Sequence, residues 1–251
     1  MKAIYMIPSY NSGSRLGKTF AQAITDARSE LQKHFSSSAV LVVNCSTDKD
    51  NQKTQTIAEA SQAIVIKDKT VTLGYARCVG LNYAFNQLGA DFTFLGDDDL
   101  HTPPEGIPLL YQELLKGADL VFGNRSFLDM LSHPPLQLLL ELGLNSICAF
   151  QSRRFIDLIS GSAAFPRKGW NVLSNHFKPS DYSKLKTALP FFAAAYYSLG
   201  LKVEKATVSG RFEGSYLKDA LDMKFIKHRI KTISGDYADF KRGKFLLVRI
   251  R

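Results

Sequence analysis

The chain has 251 residues, of which 45% are hydrophobic and 22% charged, and these proportions exclude a disordered chain or a coiled coil. Its formal net charge of +9 predicts an anionic partner, such as an acidic membrane surface, a phosphorylated acceptor or nucleic acid, unless the basic residues simply form a solvated surface. The three cysteines, Cys45, Cys78 and Cys148, form no C-x-x-C pair, which argues against a disulfide framework or a zinc site and favours a reducing, cytoplasmic setting.

Short apolar runs alternate with amphipathic stretches through the first 125 residues. The runs predict strands at Ala3–Ile7, Ala39–Val43, Ala63–Ile66, Phe92–Leu95 and Asp119–Phe122. The stretches between them predict helices at Arg15–Phe35, Gln52–Ala60, Tyr75–Leu88 and Glu105–Lys116. This alternation is typical of a Rossmann-like α/β fold, with a mostly parallel sheet and helices on both faces. Ligands of such sheets bind at the carboxyl ends of strands, here the loops Pro8–Asn11, Asn44–Asp48 and Gly96–Thr102.

Longer helical segments follow Arg125. They predict helices at Pro135–Phe150, Lys168–Phe177, Thr187–Leu199 and Tyr216–Thr232, with one strand at Lys202–Val208. No repeat or low-complexity linker interrupts the chain, so we predict a single domain over residues 1–251 whose character changes near residue 125. The longest uncharged run, Thr187 to Leu201, has 15 residues, fewer than the ~20 that a membrane-spanning helix needs.

Three consecutive carboxylates, Asp97, Asp98 and Asp99, follow directly on the apolar run Phe92–Leu95. Three like charges so close together are costly unless a cation neutralises them, and oxygen ligands suit Mg²⁺ or Mn²⁺. Alternate residues of an extended segment project the same way, so Asp97 and Asp99 are expected to share one ion while Asp98 points elsewhere. The alternative is an acidic cap for a helix that begins after Pro103, although one Asp would be enough for that purpose.

Around these acids the chain resembles glycosyltransferase family 2 and, within it, the dolichyl-phosphate mannosyltransferase-like branch. The branch pattern D-x-D-x-Q-H-P-P-E reads D-D-D-L-H-T-P-P-E over Asp97–Glu105, with His101 where the family has Gln. Further matches extend in the family's order over most of the chain: Ile7–Asn11 (P-x-Y-N), Val42–Asp48 (V-V-D-D-G-S-T-D), Gly74–Gly80, Gly117–Arg125 (G-x-D-x-V-x-G-x-R), Asp157–Phe165 (D-P-T-S-G-F-R-A-F) and Arg211–Ser215 (R-x-x-G-x-S).

The resemblance implies a GT-A fold in which residues 1–125 bind the donor and residues 126–251 shape the acceptor side, ending in a basic segment. It implies inverting transfer from a UDP- or GDP-linked sugar, with Mg²⁺ or Mn²⁺ as cofactor. The implied donor-binding residues are Pro8, Tyr10, Asn11, Asn44, Asp48, Arg77, Asp97 and Asp98; the metal ligands are Asp97, Asp99 and His101; the catalytic residues are Asp99, Arg125 and Arg211. Two departures stand out: Asn44 and Cys45 replace the family's paired acids, and Ala163 replaces an arginine.

The acceptor decides whether a general base is needed. A polyprenyl or dolichyl phosphate is already an anion near neutral pH, whereas a glycan or protein hydroxyl must lose a proton, for which Asp181 is the candidate base. Because the chain lacks the acidic pair typical of hydroxyl-directed relatives, the sequence favours the phosphate acceptor. A nucleotidyltransferase, with Ser12–Gly17 as its phosphate loop, and a nucleic-acid-binding protein are the rival classes; the latter would leave Asp97–Asp99 unexplained.

Two segments predict contact with a membrane. Met130–Phe150 is rich in leucine, and Leu217–Lys231 combines Lys218, Lys224, Lys227, Arg229 and Lys231 with Leu221, Phe225 and Ile230. Apolar anchors beside cations suit an anionic bilayer surface, so the chain is expected to be cytoplasmic with a peripheral position on the membrane. The competing interpretation is that both segments simply cover the sheet.

Overall fold

The computed structural model describes residues 1–69, 72–99, 103–131, 133–152, 155–158, 160–177, 179–209 and 223–245. Its centre is a seven-stranded sheet with the strand order β3-β2-β1-β4-β6-β5-β7. The strands are β1 (Lys2–Ser9), β2 (Ser37–Asn44), β3 (Ile64–Lys67), β4 (Phe92–Leu95), β5 (Leu120–Arg125), β6 (Ala163–Pro166) and β7 (Val203–Val208). Strand β6 runs antiparallel to β4 and β5, and the other pairings are parallel. The prediction of a mostly parallel sheet is confirmed.

Helices cover both faces of this sheet, as predicted. They are α1 (Ser12–Arg15), α2 (Lys18–His34), α3 (Asp48–Ala60), α4 (Leu73–Asn86), α5 (Ile107–Leu115), α6 (Phe127–Leu131), α7 (Pro135–Ser152), α8 (Arg167–His176), α9 (Pro179–Tyr182), α10 (Leu189–Ser198) and α11 (Met223–Phe245). A short 3₁₀ helix, Pro104–Gly106, precedes α5. Among the described helices, none is both long and apolar enough to cross a membrane.

Strand β1 shows how the sheet separates the two cores. Ile4 and Met6 point to one face, where they join a cluster with α4, α8 and α10, whereas Tyr5 and Ile7 point to the other face, with α2 and α5. This follows from the two-residue period of a strand. Because both faces are buried, β1 reads as an unbroken apolar run and not as an alternating one.

Several elements differ from the sequence prediction. The single helix expected over Arg15–Phe35 is divided between α1 and α2, because Gly17 adopts a left-handed φ of 49° between them. Strand β6 lies in a segment that was identified only as a sequence motif. The last helix was expected to end at Thr232 but continues to Phe245, and the first seven residues of that prediction, 216–222, lie outside the described residues.

The C-terminal helix α11 is held against the body of the protein through α10. The carboxylate of Asp239 accepts hydrogen bonds from the backbone amides of Lys186, Thr187 and Ala188, at 2.8, 3.0 and 3.3 Å. These amides lie just before α10 and at its N-terminal end, where amide groups have no helical partner and an anion is favoured. Since α11 also contacts α7, this last described helix connects α7 with α10.

Candidate active site

A cleft opens where β1, β2 and β4 end. The chain proceeds from β1 outward through β2 to β3 and then returns to the other side of β1 with β4, so the cleft lies at the point where the strand order reverses. In open α/β sheets this is the position that binds ligands. Its volume is about 600 Å³, and it is lined by Pro8, Ser9, Tyr10, Arg15, Cys45, Thr72, Leu73, Ala76, Asp97, Asp98, Asp99 and His228.

The three acids after β4 have different surroundings. Asp98 is 7% exposed and turns towards α1, where it accepts hydrogen bonds from the Ser12 hydroxyl and, at 2.6 Å, from the Arg15 guanidinium. Burial raises the pKa of Asp98, although the bonds from Ser12 and the charge of Arg15 act in the opposite direction. The Asp98 carboxylate is therefore already neutralised by protein groups.

Asp97 is held from behind and remains partly open to the cleft. The buried guanidinium of Arg77 lies 3.3 Å from its carboxylate and donates a second bond, 2.9 Å long, to the carbonyl oxygen of Thr187. On another side Asp97 meets Gly161, whose φ is +79°. A Cβ atom at Gly161 would lie 2.1 Å from an Asp97 carboxylate oxygen, so only glycine fits there for both conformational and steric reasons. Gly161 of the S-G motif thus packs against Asp97, the first of the expected metal ligands.

Acidic groups dominate the electrostatics of this strand end. Burial raises the pKa of the Tyr5 hydroxyl, and the charges of Asp97, Glu105 and Asp99 raise it further. Tyr5 lies beneath the acids, since a Cβ atom at Gly96 would overlap its hydroxyl group. The arrangement therefore favours a cation at the cleft.

Asp97 and Asp99 also line the cleft, and they are the two acids of the lining that do not bond to Ser12 and Arg15. Within the part of the chain that the structure describes, no group of three or more His, Cys, Asp or Glu side chains is close enough to hold a metal ion. Two carboxylates are nevertheless a suitable protein contribution for Mg²⁺, which is commonly bound by one or two carboxylates together with substrate phosphates and water. The residues present thus fit a metal that arrives with a diphosphate. His101, the third expected ligand, lies outside the described residues.

The residues expected to bind the nucleotide fall into two groups. Pro8 and Tyr10 line the cleft, and Tyr10, 54% exposed, offers an aromatic face to a base. Asn11, Asn44 and Asp48 do not line it. Asn11 accepts bonds from the amide and hydroxyl groups of Thr47. The buried Asn44 accepts a bond from the Ser46 amide and donates one to the carbonyl oxygen of Asn51 on α3, and Asp48 is exposed at the start of α3. The two asparagines thus connect and shape the loops after β1 and β2.

Cys45 lines the cleft where the family has one of its paired acids. Burial, reinforced by the charge of Asp68, raises the pKa of its thiol to about 12. The group is therefore an uncharged thiol at neutral pH and does not replace the missing carboxylate.

Arg125 lies outside the cleft lining, contrary to the place expected for a phosphate ligand. Its guanidinium contacts Asp157 at 2.6 Å and Glu141 at 2.8 Å, and its third nitrogen is 3.1 Å from the His133 ring. All of these side chains are at least nine-tenths buried. Burial opposes the Arg125 charge, but the two carboxylates outweigh it and raise the pKa of Arg125. Two of its three nitrogens are thus engaged by protein carboxylates and the third faces His133, so a role as a phosphate ligand stays a prediction.

The structure does not place Asp181, the expected general base, at the cleft. Asp181 lies on the short helix α9, which packs near α4, and is not part of the lining. Arg211 lies outside the described residues.

The structure adds two basic residues to the lining that the motif comparison did not assign. Arg15 belongs to the glycine-containing segment Ser12–Gly17, which had been considered only as a nucleotidyltransferase loop. His228 comes from α11, which had been interpreted as a membrane segment. Neither position carries a motif, because each depends on how helices pack: α1 contacts α3, and α11 contacts α7 and α10.

Comparison with known proteins now decides the family. The family model described as glycosyl transferase family 2 matches residues 5–155. The chain belongs to glycosyl transferase family 2. The match runs from within β1 to beyond β5 and includes the acids Asp97–Asp99, so the resemblance to family 2 is confirmed and the chain is a glycosyltransferase. No curated protein matches it significantly.

Solved structures share the fold of this family 2 chain at low sequence identity. Mannosyl-3-phosphoglycerate synthase from Rubrobacter xylanophilus has a TM-score of 0.63 at 13% identity, over 96% of this chain and 75% of that one. Mannosyltransferase PcManGT from Pyrobaculum calidifontis, in complex with GDP-Man and Mn²⁺, has a TM-score of 0.51 at 13% identity, over 98% and 74%. TarS 1-349 of S. aureus, in complex with UDP, has a TM-score of 0.50 at 18% identity, over 96% and 71%.

Proposed function

We propose that this family 2 enzyme transfers a sugar, with inversion, from a UDP- or GDP-linked donor to a polyprenyl phosphate, and that Mg²⁺ or Mn²⁺ assists the reaction. The single observation that carries the proposal is the opening of Asp97 and Asp99 into the cleft at the strand-order reversal, beside the exposed ring of Tyr10. The fold neighbours that contain GDP-Man with Mn²⁺ and UDP support both donor types without distinguishing between them.

Asp97 and Asp99 would hold the metal, and Arg77 would keep Asp97 in place. A bound divalent cation stabilises the negative charge that grows on a departing diphosphate. Arg15 adds a fixed charge of its own to the lining and has a half-exposed guanidinium to offer to phosphate oxygens. Tyr10 would stack on the base, which explains how a base could be held without the family's paired acids.

In the transfer itself, an acceptor oxygen forms a bond to the anomeric carbon as the bond from that carbon to the donor diphosphate breaks. The electron pair of the broken bond leaves with the nucleoside diphosphate, and attack from the opposite face inverts the anomeric configuration. A phosphate acceptor brings a charged oxygen and needs no base near neutral pH. This agrees with the position of Asp181 on α9, away from the cleft lining.

His228 supports a second candidate acceptor. Its imidazole lines the cleft and could take the proton from a glycan or protein hydroxyl. If the acceptor is a hydroxyl, His228→Gln should remove the lower limb of the pH–rate profile. If the acceptor is a polyprenyl phosphate, the same variant should change the rate but leave the shape of that profile unaltered.

The donor is tested by a thermal-shift screen of UDP-, GDP- and other nucleotide sugars, each with Mn²⁺ and with chelator. A ligand present at 100 times its Kd should stabilise the folded protein by about 2.7 kcal/mol. The acceptor is tested by incubating the best donor with a short-chain polyprenyl phosphate, with the matching polyprenyl alcohol, and with soluble glycans. We expect a product of inverted anomeric configuration from the phosphate alone. Product from the alcohol or the glycans alone would contradict the phosphate acceptor, and stabilisation by no nucleotide sugar would contradict the proposed donor.

A further inference from the structure

Helix α7 buries three polar residues and exposes four large apolar ones, although Leu144 and Cys148 also lie inside. Gln137, Glu141 and Asn145, four residues apart, are at most 2% exposed. The outer face, Leu136, Leu139, Ile147 and Phe150, is 39%, 67%, 47% and 90% exposed. A helix at the surface of a soluble protein normally has the opposite arrangement. The inversion therefore needs an explanation on both sides.

The buried side is explained by the ionic network around Arg125. Glu141 contacts Arg125 at 2.8 Å and accepts a 2.6 Å bond from Gln137, while Asn145 donates to Asp157 and accepts from the amide of Leu158. These contacts fix which face of α7 points inward. Because Gln137, Glu141 and Asn145 are held inside by these bonds, the apolar side chains on the opposite face of α7 must point outward.

The exposed side forms a continuous stripe. Leu136, Leu139, Gly143, Ile147 and Phe150 follow one another at intervals of three and four residues, and all five are exposed. At 1.5 Å per residue the stripe is about 21 Å long. The sequence Pro135–Ser152 contains a single charged residue, the buried Glu141, so the stripe itself carries no charge.

Cations flank this stripe on the neighbouring helix. Helix α11 packs beside α7, with Arg229 within electrostatic range of Glu141 and Asp236 within range of Cys148. On α11, Lys227 and Lys231 are exposed one turn apart, next to Ile230, which is itself 47% exposed. The combined surface therefore has apolar side chains beside lysines.

We propose that this surface, the outer face of α7 together with Lys227, Ile230 and Lys231, docks on an anionic phospholipid bilayer. Charge complementarity decides the occupant: an uncharged apolar stripe beside exposed lysines suits acyl chains beneath anionic headgroups. If a second copy of the chain docked on this surface instead, the lysines of the two copies would have to approach one another or remain unpaired at the rim of the interface. The helix lies on the bilayer, since none of the described helices could span it.

Docking would also place the cleft close to the bilayer, because α11 contributes to both surfaces. The same helical turn presents Lys227 to the outside and His228 to the cleft lining, so the bilayer surface and the cleft share one helix. This role in acceptor delivery rests on the proposed polyprenyl-phosphate function, whereas the docking surface itself does not. Flotation requires no turnover and can therefore be judged separately.

The experiment is flotation of the intact chain with vesicles of phosphatidylcholine containing 30% phosphatidylglycerol, and with vesicles of phosphatidylcholine alone, at low salt. The wild type should float with the anionic vesicles and much less with the neutral ones. Leu139→Glu should lower the partition coefficient at least tenfold. The matched control is Leu115→Glu on α5, where the leucine is 63% exposed, and its partition coefficient should stay within twofold of the wild type. The double variant Lys227→Gln and Lys231→Gln should abolish the preference for anionic vesicles.

Three results would overturn the proposal: no flotation of the wild type with anionic vesicles, equal partition of the Leu139 and Leu115 variants, or a wild-type dimer in light scattering that Leu139→Glu dissociates while no form floats. Thermal-shift measurements with the nucleotide donor on the same preparations keep the two proposals apart. Flotation without donor binding would contradict the proposed function and leave the docking surface intact.

Discussion

The acids of the cleft and the acids around Arg125 differ in burial and in how closely a cation contacts them. Glu141 and Asp157 are 1% exposed and are neutralised by a guanidinium at 2.8 and 2.6 Å. Asp97 is 25% exposed, and its contact with Arg77 is 3.3 Å long. A buried carboxylate needs a close partner to avoid a large desolvation cost, whereas a partly exposed one can keep oxygen atoms available. The second arrangement is the one that can accept an external cation.

The largest effect is expected when the buried network loses its cation. Arg125→Met leaves Glu141 and Asp157 buried without their charge partner, so the free energy of unfolding should fall by about 3–5 kcal/mol. Urea unfolding followed by circular dichroism measures the loss. If the variant were as stable as the wild type yet failed to bind nucleotide, Arg125 would belong to the donor site instead.

A third buried acid, Asp236, should make the stability of the protein depend on pH. Burial, with the charge of Asp239, raises the pKa of this carboxyl to about 7, although the bond from Thr187 opposes the shift. The folded state thus holds a proton that the unfolded state loses near pH 4, so the contribution of Asp236 to stability is present below pH 4 and is lost as the pH rises to 7. At about 1.4 kcal/mol per pKa unit, the loss is at most about 4 kcal/mol.

Asp236→Asn keeps an oxygen atom for Thr187 and should remove this loss. His133 acts in the opposite direction, because burial, outweighing the effect of Glu141, lowers its pKa to about 4, and its contribution is lost as the pH falls below about 6.5. Only the difference between wild type and Asp236→Asn, measured by urea unfolding from pH 4 to 8, isolates Asp236. A difference that does not change with pH would contradict the assignment, and Asp26→Asn on α2 is the control.

A smaller effect on stability is expected at the cleft. Arg15 is 53% exposed in its ion pair with Asp98, so Arg15→Met should cost less than about 1 kcal/mol of stability. The same change should weaken nucleoside diphosphate binding about tenfold, since a bond from a charged donor to phosphate is worth about 1.5–3 kcal/mol. Calorimetric titration provides the affinity. An unchanged Kd would remove Arg15 from the donor site.

The sequence predicted what is local and missed what is brought together by packing. The strands β1 to β5, their loops and the acids Asp97–Asp99 could be identified because each is a continuous pattern. The environment of Arg125 could not, since its partners Glu141 and Asp157 are 16 and 32 residues away. One signal existed: Glu141 is the single charge in the apolar segment Pro135–Ser152, and a lone acid in such a segment indicates a buried pair. The position of His228 in the cleft depends on where α11 packs, and no sequence motif predicts that.

The most direct test is the metal dependence of nucleotide binding in two neighbouring variants. The affinity of the wild type for GDP or UDP should rise at least tenfold with Mn²⁺ over its value in chelator. Asp99→Asn should lose this dependence and turnover while keeping its melting temperature, whereas Asp98→Asn, whose carboxylate is directed at Ser12 and Arg15, should keep it. Equal affinity of the wild type with Mn²⁺ and with chelator, or an equal loss in both variants, would contradict the account of the cleft.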